Sequence, residues 1–381
     1  MLSIDSSGTH THREIFQQPE MWIKTFQYIF EKRDEILSFF SKYFSNDVTC
    51  IFSGAGTSSF IGDTLSFILP KIKIYNIRSV PTTDITTHPS EIFEKNKKYM
   101  LVSFARSGNS PESIMAFDLA NKFCGTNISH IVITCNINGE LTKKASEKNV
   151  LLINLPPETN DKGLAMTSSF TSMLLAASLI FDIHHIESQK MDIINLSAKA
   201  ESILNQYSHQ LKAICSLNFE RAVFLGSGAL KGIARECHLK LAELTDGKIF
   251  CAFDSFLGFR HGPKVILNDK TLLVYLFSED DYVIEYENDL VKEINQQISP
   301  MAQIYVAHNK IEIQNITFDL GITPLNKNRT TYDFIFYVVV GQLLGFFKSL
   351  DLGLNPDDPS TDGKISRVVK GVKIYNFLKN G

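Results

Sequence analysis

Short apolar runs alternate along the chain with longer stretches in which apolar residues recur every three or four positions. The runs at 48–52, 72–77, 99–103, 131–134 and 150–154 have the near-continuous apolar character of strands buried on both faces. Between 19 and 44, by contrast, Trp22, Phe26, Ile29, Ile36, Phe39 and Phe40 keep helical spacing. This alternation predicts a parallel α/β sheet, which binds ligands outside the carboxyl ends of its strands. A long helical stretch at 187–216 then leads to an apolar strand at 221–225 and a helix at 229–244, and the pattern starts again.

The two starts share a turn. Ser53-Gly54-Ala55-Gly56-Thr57-Ser58-Ser59 follows the first strand, and Gly226-Ser227-Gly228-Ala229 follows the strand at 221–225. We read this as an internal repeat with a boundary near 205. The expected organisation is a tail and helix over 1–44, a first unit over 45–204 and a second over 205–381. Residues 1–14 are polar and read as a loose tail, and His10 and His12 fall in it without a metal-binding pattern. A Gly-rich turn invites a nucleotide reading, but the dinucleotide fingerprint needs a third glycine, where this turn has hydroxyls.

A second turn carries more chemistry. The strand ending at Ser103 runs into Phe104-Ala105-Arg106-Ser107-Gly108-Asn109-Ser110, and Pro111 opens a helix. Ser110 suits an N-cap and Pro111 the first helical position, where its missing N–H costs nothing. Such a turn is an ordinary capped βα connection. It also gathers what a phosphate needs, namely hydroxyls on Ser107 and Ser110, unpaired first-turn N–H groups and the positive end of a helix dipole. Thr167 and Ser168, in the hydroxyl-rich stretch before the helix at 173–177, either cap that helix or add a third edge to the same cleft. The second half has no counterpart of the Ser107 turn, because 275–277 is followed by Ser278-Glu279-Asp280-Asp281.

Composition narrows the partners. A hydrophobic share of 44% and a charged share of 21% are those of a soluble globular protein of about two domains. The formal charge of -3, with no long basic run, argues against nucleic acid or an anionic membrane as main partner. The six cysteines lack a Cys-x-x-Cys pair and several sit in apolar runs, so they read as reduced, buried thiols. With no signal-peptide core and no apolar stretch of about 20 residues, the expected location is the cytoplasm.

On the helix at 229–244, Glu236, Lys240 and Glu243 share one face. An exposed Glu-Lys-Glu ladder has the same spacing. A later turn adds to the picture, since Arg260-His261-Gly262-Pro263 holds an imidazole in a Gly- and Pro-bounded turn with Arg260 beside it. A carboxylate and an imidazole are the usual pair for moving protons near neutral pH.

Taken in order, the 53–59 turn, the Ser107 turn, the 163–169 stretch, the 236–243 helix face and the His261 turn resemble those of the sugar isomerase (SIS) domain proteins. The resemblance is strongest to the galactosamine-6-phosphate deaminase/isomerase group, and extends to the isomerase half of glucosamine-6-phosphate synthase. It implies two SIS subdomains, each a parallel-sheet α/β sandwich of flavodoxin-like type. It further implies a homodimer or higher homo-oligomer whose active site a neighbouring subunit often completes.

Carried onto this sequence, Ser107 and Ser110 bind phosphate, and Gly56, Thr57 and Ser58 line the sugar. Arg106 is a candidate phosphate partner, and Ser103 assists because Ala105 stands where a serine is usual. Glu243 matches the base that moves a proton between C2 and C1, with Glu236 and Lys240 as its neighbours. His261 matches the ring-opening residue and Lys370 the active-site lysine of the tail. The substrate is then a phosphorylated hexose or hexosamine, and the chemistry calls for no metal and no cofactor. The expected reaction turns galactosamine 6-phosphate into tagatose 6-phosphate and ammonia. Its rivals are plain aldose–ketose isomerisation and a sugar-phosphate-sensing module. A sensor of the transcriptional kind carries a basic DNA-binding domain, for which the first 45 residues are too short and insufficiently basic, and a synthase needs a preceding glutamine-hydrolysing domain.

Overall fold

The computed structural model describes residues 8–146, 148–369, 371–375 and 377. Three helices lead in: α1 (Thr9–Phe16), α2 (Gln18–Glu31) and α3 (Arg33–Tyr43). The first α/β unit follows as β1 (Val48–Ser53), α4 (Thr57–Ile68), β2 (Ile77–Ser79), α5 (Thr82–Thr87), α6 (Pro89–Ile92), β3 (Lys98–Ala105), α7 (Pro111–Cys124), β4 (Ile128–Thr134), α8 (Glu140–Lys144) and β5 (Val150–Asn154). The helices α9 (Ser168–Phe181) and α10 (Lys190–Cys215) lead to the second unit. It comprises β6 (Arg221–Gly226), α11 (Ala229–Leu244), β7 (Phe250–Asp254), α12 (Phe256–Phe259), β8 (Thr271–Leu276), α13 (Asp281–Gln297), β9 (Ala302–Val306), β10 (Leu320–Ile322) and α14 (Phe336–Asp351).

Both sheets are parallel, with orders β2-β1-β3-β4-β5 and β10-β9-β8-β6-β7. Counted from the first strand of each unit, the two orders are the same flavodoxin-like sequence, 2-1-3-4-5. The repeat extends to backbone angles. The residue before α4 is Gly56 at φ 53°, ψ −130°, and the residue before α11 is Gly228 at φ 58°, ψ −125°. Only glycine enters that region freely, so both turns need it.

The largest apolar cluster lies between the sheets, where α2, α4, α9, α10, α11 and α14 pack. Every residue of α9 is buried, as is nearly all of α14, which explains why both read as apolar on all sides. The span Asp333–Asp351 is apolar enough to cross a membrane by composition, but 94% of its most apolar window is buried inside the fold. Smaller clusters cover the outer faces, with α12 and α13 on the second sheet and α5, α6 and α7 on the first. Helix α10 passes unbroken through position 205.

Three expectations are corrected. The supposed loose tail is helical from Thr9, because Asp357 accepts hydrogen bonds from the backbone N–H of His10 (3.1 Å) and Thr11 (2.7 Å) while Ile15 is buried. The helix read over 19–44 is two helices broken at Lys32. The strand read at 72–77 is absent. Pro70 lies in a 3-10 turn over Leu69–Ile72 and Lys73 turns left-handed at φ 66°, so pairing with β1 begins only at Ile77. The second half also holds strands that the apolar runs did not reveal, β7, β9 and β10.

The halves meet where α4 crosses α11. A Cβ on Gly232 would lie 2.3 Å from Thr64 Oγ1 and 2.8 Å from its backbone nitrogen. On α14, Gly341 and Gly345 likewise admit Cys237 and the Lys240 carbonyl of α11. Gly232→Ala gains roughly 1 kcal/mol of helix propensity, but forcing the helices apart costs about 1–3 kcal/mol. The expected net result is a lower midpoint in chemical denaturation. An unchanged or raised midpoint would contradict the close crossing.

Candidate active site

Strands β1 and β3 lie side by side, with Ser53 opposite Ser103, and the order of the first sheet reverses between them. The turns after these strands therefore share one crevice. After β1, Gly54 leaves no room for a side chain, since its Cβ would sit 2.5 Å from that of Ser58. The chain passes through exposed Gly56 and starts α4 at Thr57.

After β3, the turn Arg106–Asn109 is gripped from the β4 side. Asn136 Nδ2 donates to the Ser107 carbonyl at 2.7 Å, Leu141 N to the Gly108 carbonyl at 3.0 Å and Glu140 N to Asn109 Oδ1 at 3.0 Å. Gly139 fits beneath, where a Cβ would reach within 2.7 Å of the Ser107 carbonyl. Ser107 and Ser110 are half-buried at the N-terminus of α7, and Ser110 Oγ donates to Ser113 Oγ at 2.6 Å. The result is a rigid turn with hydroxyls at the positive end of a 14-residue helix. The grip of Asn136 and Gly139 was not foreseen, because it comes from a strand end far along the chain.

The other wall comes from the second unit. Helix α11 brings Lys240 and Glu236, both fully buried, against α4. Lys240 Nζ lies 2.9 Å from Thr57 Oγ1, 2.5 Å from Glu243 Oε2 and 3.6 Å from Glu236 Oε1. Burial alone would lower the Lys240 ammonium, but the carboxyls of Glu236 and Glu243 outweigh it and hold its pKa above the ordinary value. For Glu236, burial dominates. Its pKa is pushed up to about 8, with Lys240 opposing and Glu243 adding to the rise. Neither Glu236 oxygen has a hydrogen-bond partner among the described residues, as suits a carboxyl that keeps its proton at neutral pH. Glu243 differs, with its side chain 24% exposed. The pairing leaves the Glu243 carboxyl oriented by a buried cation at the mouth of the crevice.

Several expected ligands are engaged elsewhere. Thr167 and Ser168 are fully buried, and with Ser169 they direct hydroxyls and backbone N–H groups onto Asp161, at 2.5–3.1 Å. They cap α9 through Asp161 and do not form a third edge. Arg106 is buried and donates to the carbonyls of Gly163 (3.2 Å), Leu164 (3.0 Å) and Arg367, so its guanidinium staples backbone instead of meeting solvent. Ser103 is buried inside β3 and Ser58 Oγ points to Met166 Sδ at 3.7 Å.

His261 is exposed on the loop after β7, an edge strand, and its ring makes no hydrogen bond among the described residues. The loop around it is anchored by Arg260 and Lys264, which both pair with Glu293. No hydrogen bond among the described residues links His261 to the Lys240 cluster. Lys370 lies outside the described residues.

Sequence reasoning also passed over Glu14. Its carboxylate accepts from the backbone N–H of Lys162 (2.5 Å) and Gly163 (3.2 Å), and burial with Asp161 nearby raises its pKa to about 7. A single acidic residue in a supposed tail gave no signal for this.

A parallel α/β duplication with a hydroxyl-lined crevice and a lysine-held carboxylate fits a phosphosugar-handling class. The chain belongs to the SIS-domain family. The SIS domain itself matches residues 43–183. D-galactosamine-6-phosphate deaminase AgaS of Escherichia coli is 35% identical over 373 residues, covering 97% of this chain and 96% of that protein. The solved tagatose-6-phosphate ketose/aldose isomerase of Escherichia coli superposes with a TM-score of 0.89 at 34% identity, covering 97% of both chains. The C-terminal domain of glucosamine-fructose-6-phosphate aminotransferase from Francisella tularensis shares the fold at 17% identity, with a TM-score of 0.78 over 93% of this chain and 99% of that one.

The raised pKa of Glu236 has a measurable consequence. Its folded value of about 8 lies above the ordinary 4.5, so between these values the folded chain holds a proton that the unfolded chain has lost. Stability from this group is present below pH 4.5 and is lost as pH rises toward 8, at about 1.4 kcal/mol per pH unit. Denaturation between pH 6 and 8 should show a shallower pH slope for Glu236→Gln than for wild type. Equal slopes would mean that Glu236 is ionised in the fold.

Proposed function

We propose that this protein is an amino-sugar phosphate deaminase/isomerase that converts galactosamine 6-phosphate to tagatose 6-phosphate and ammonia. The observation that carries the proposal is the Glu243 carboxylate, oriented by Lys240 at 2.5 Å beside Thr57, in the crevice that also holds the Ser107 turn. The 35% identity to a D-galactosamine-6-phosphate deaminase over nearly the whole chain supports it.

The 6-phosphate rests on the Ser107 and Ser110 hydroxyls and the first-turn N–H groups of α7. Binding there, remote from the reacting carbons, fixes C1 and C2 against Glu243, and such positioning is worth several kcal/mol of barrier. His261 assists opening of the pyranose. Its exposed place on an edge loop suits delivery from a second subunit, and we propose a homodimer on that ground.

In the open-chain amino sugar, Glu243 takes the proton from C2, and the electron pair moves to form the C1=C2 double bond of an enolamine as O1 gains a proton. Reprotonation at C1 shifts the double bond to C2=N. Water adds to this ketimine and expels ammonia, leaving the C2 ketone. Glu236, buried and with its pKa raised, leaves Lys240 to orient Glu243. We place the reaction in the cytoplasm, with support from the six free thiols, five of them buried.

A second reading, ketose/aldose isomerisation of a neutral sugar phosphate with the same residues, is supported by the solved relative at 34% identity. A coupled assay of ammonia release from galactosamine 6-phosphate and glucosamine 6-phosphate separates the two. Release from the galacto substrate, matched mole for mole by tagatose 6-phosphate, is expected. Binding of both substrates with release from neither would overturn the deaminase reading in favour of the neutral sugar.

A further inference from the structure

The connection from β5 to α9 is bonded along both of its edges. On one edge three successive backbone N–H groups reach segments from the two ends of the chain. Lys162 N and Gly163 N donate to the two oxygens of Glu14 in α1, at 2.5 and 3.2 Å, and Leu164 N donates to the Asp357 carbonyl at 2.9 Å. On the other edge the carbonyls of Gly163 and Leu164 accept from Arg106 Nη1, at 3.2 and 3.0 Å. Gly163 thus has its N–H on Glu14 and its carbonyl on Arg106. Because Arg106 directly precedes Ser107, a continuous path of hydrogen bonds and chain runs from Glu14 to the turn proposed to hold phosphate.

The position does not favour a carboxylate on general grounds. Glu14 is only 5% exposed, and burial, then Asp161 and Asp357, oppose its charge. What a carboxylate supplies there is two acceptor oxygens for two neighbouring N–H groups, which fix the angle of the loop. The surroundings are shaped to this contact, because a Cβ on Gly163 would lie 2.7 Å from Thr11 Oγ1 and 3.1 Å from Glu14 Oε2. Local conflicts of this kind are kept where a functional site depends on them.

We propose that Glu14 is a positioning residue for the substrate phosphate: by holding the 162–164 backbone it fixes the carbonyls that anchor Arg106, and through Arg106 it fixes the Ser107 turn. The inference rests on the reading of that turn as the phosphate cradle. Asn136 holds the turn at the Ser107 carbonyl. The path from Glu14 adds a second anchor one residue earlier, and two anchors set an orientation where one leaves a hinge. Among the described residues Glu14 makes no hydrogen bond to Lys240 or Glu243. Its loss therefore loosens phosphate binding and leaves proton transfer nearly intact.

The test measures the affinity of the full chain for galactosamine 6-phosphate by calorimetry, together with C2-hydrogen exchange at saturating substrate. In Glu14→Gln, verified as folded by circular dichroism, the amide turns an NH₂ toward one of the two N–H donors. Affinity should fall by about tenfold or more, while exchange at saturation stays within about threefold of wild type. Gly163→Ala pushes the loop off Glu14 without altering the carboxylate and should show the same split, which decides the matter if Glu14→Gln does not fold. Thr11→Val removes a neighbouring hydroxyl that bonds Pro356 and Asp357 but not the loop, and should lower the denaturation midpoint without changing affinity. Unchanged affinity in the folded Glu14 or Gly163 variant, or an equal loss in Thr11→Val, would overturn the inference alone. A wild type that binds galactosamine 6-phosphate no better than galactosamine would overturn the phosphate reading, and the inference with it.

Discussion

A buried ammonium is the constraint on which this molecule turns. Lys240 sits with no solvent exposure between Glu236, Glu243 and Thr57, and an isolated charge in that place would cost several kcal/mol. Its partners come from both halves of the chain, since Thr57 opens α4 in the first unit and the two carboxyls belong to α11 in the second. The hydrogen bond to Thr57 forms only when α4 and α11 are pressed together, which Gly232 allows, while Gly341 and Gly345 let α14 close on the other side of α11. Packing and the arrangement of the Lys240 cluster thus depend on the same contact. The helix crossing that closes the core also sets the position of Glu243 beside Lys240.

Duplication supplied the frame and then diverged at its loops. Both sheets have the same strand order and both first turns use glycine at nearly identical angles. In the first unit the turn after the third strand became a hydroxyl cradle held by Asn136 and Gly139. In the second, the corresponding turn became acidic and backs onto His308 and Asp333. A parallel sheet offers a crevice at its point of reversal whatever the loops contain, so each unit kept a cleft while its lining changed.

Much of this was legible in the chain. Parallel strands buried on both faces read as apolar runs, and the two Gly-x-Gly turns announced the repeat. Spacing placed Glu236, Lys240 and Glu243 on one face, but it left open whether that face met water or the core. Tertiary packing against α4 decided this. Two of the errors come from side chains that pair with distant backbone, and one from a carboxylate a few residues back. Arg106 looked like a phosphate ligand, yet it bonds carbonyls at 163, 164 and 367. Thr167 and Ser168 looked like cleft hydroxyls, yet Asp161 consumes them. Asp357, nearly 350 residues away, orders a helix where polarity alone suggested a tail. Such long-range pairings leave no local pattern, and the short strands β2 and β10 are too brief to show periodicity.

The central claim is that Glu243 is the base held by Lys240, and the most direct measurement tracks the C2 hydrogen itself. Proton NMR in D₂O with galactosamine 6-phosphate would compare its loss in wild type and in Glu243→Gln, with affinity determined alongside by calorimetry. Exchange is expected to slow by roughly 10²–10⁴ while affinity stays within a few-fold. Exchange at C2 that persists in the variant at the wild-type rate would contradict the assignment of Glu243 as the base.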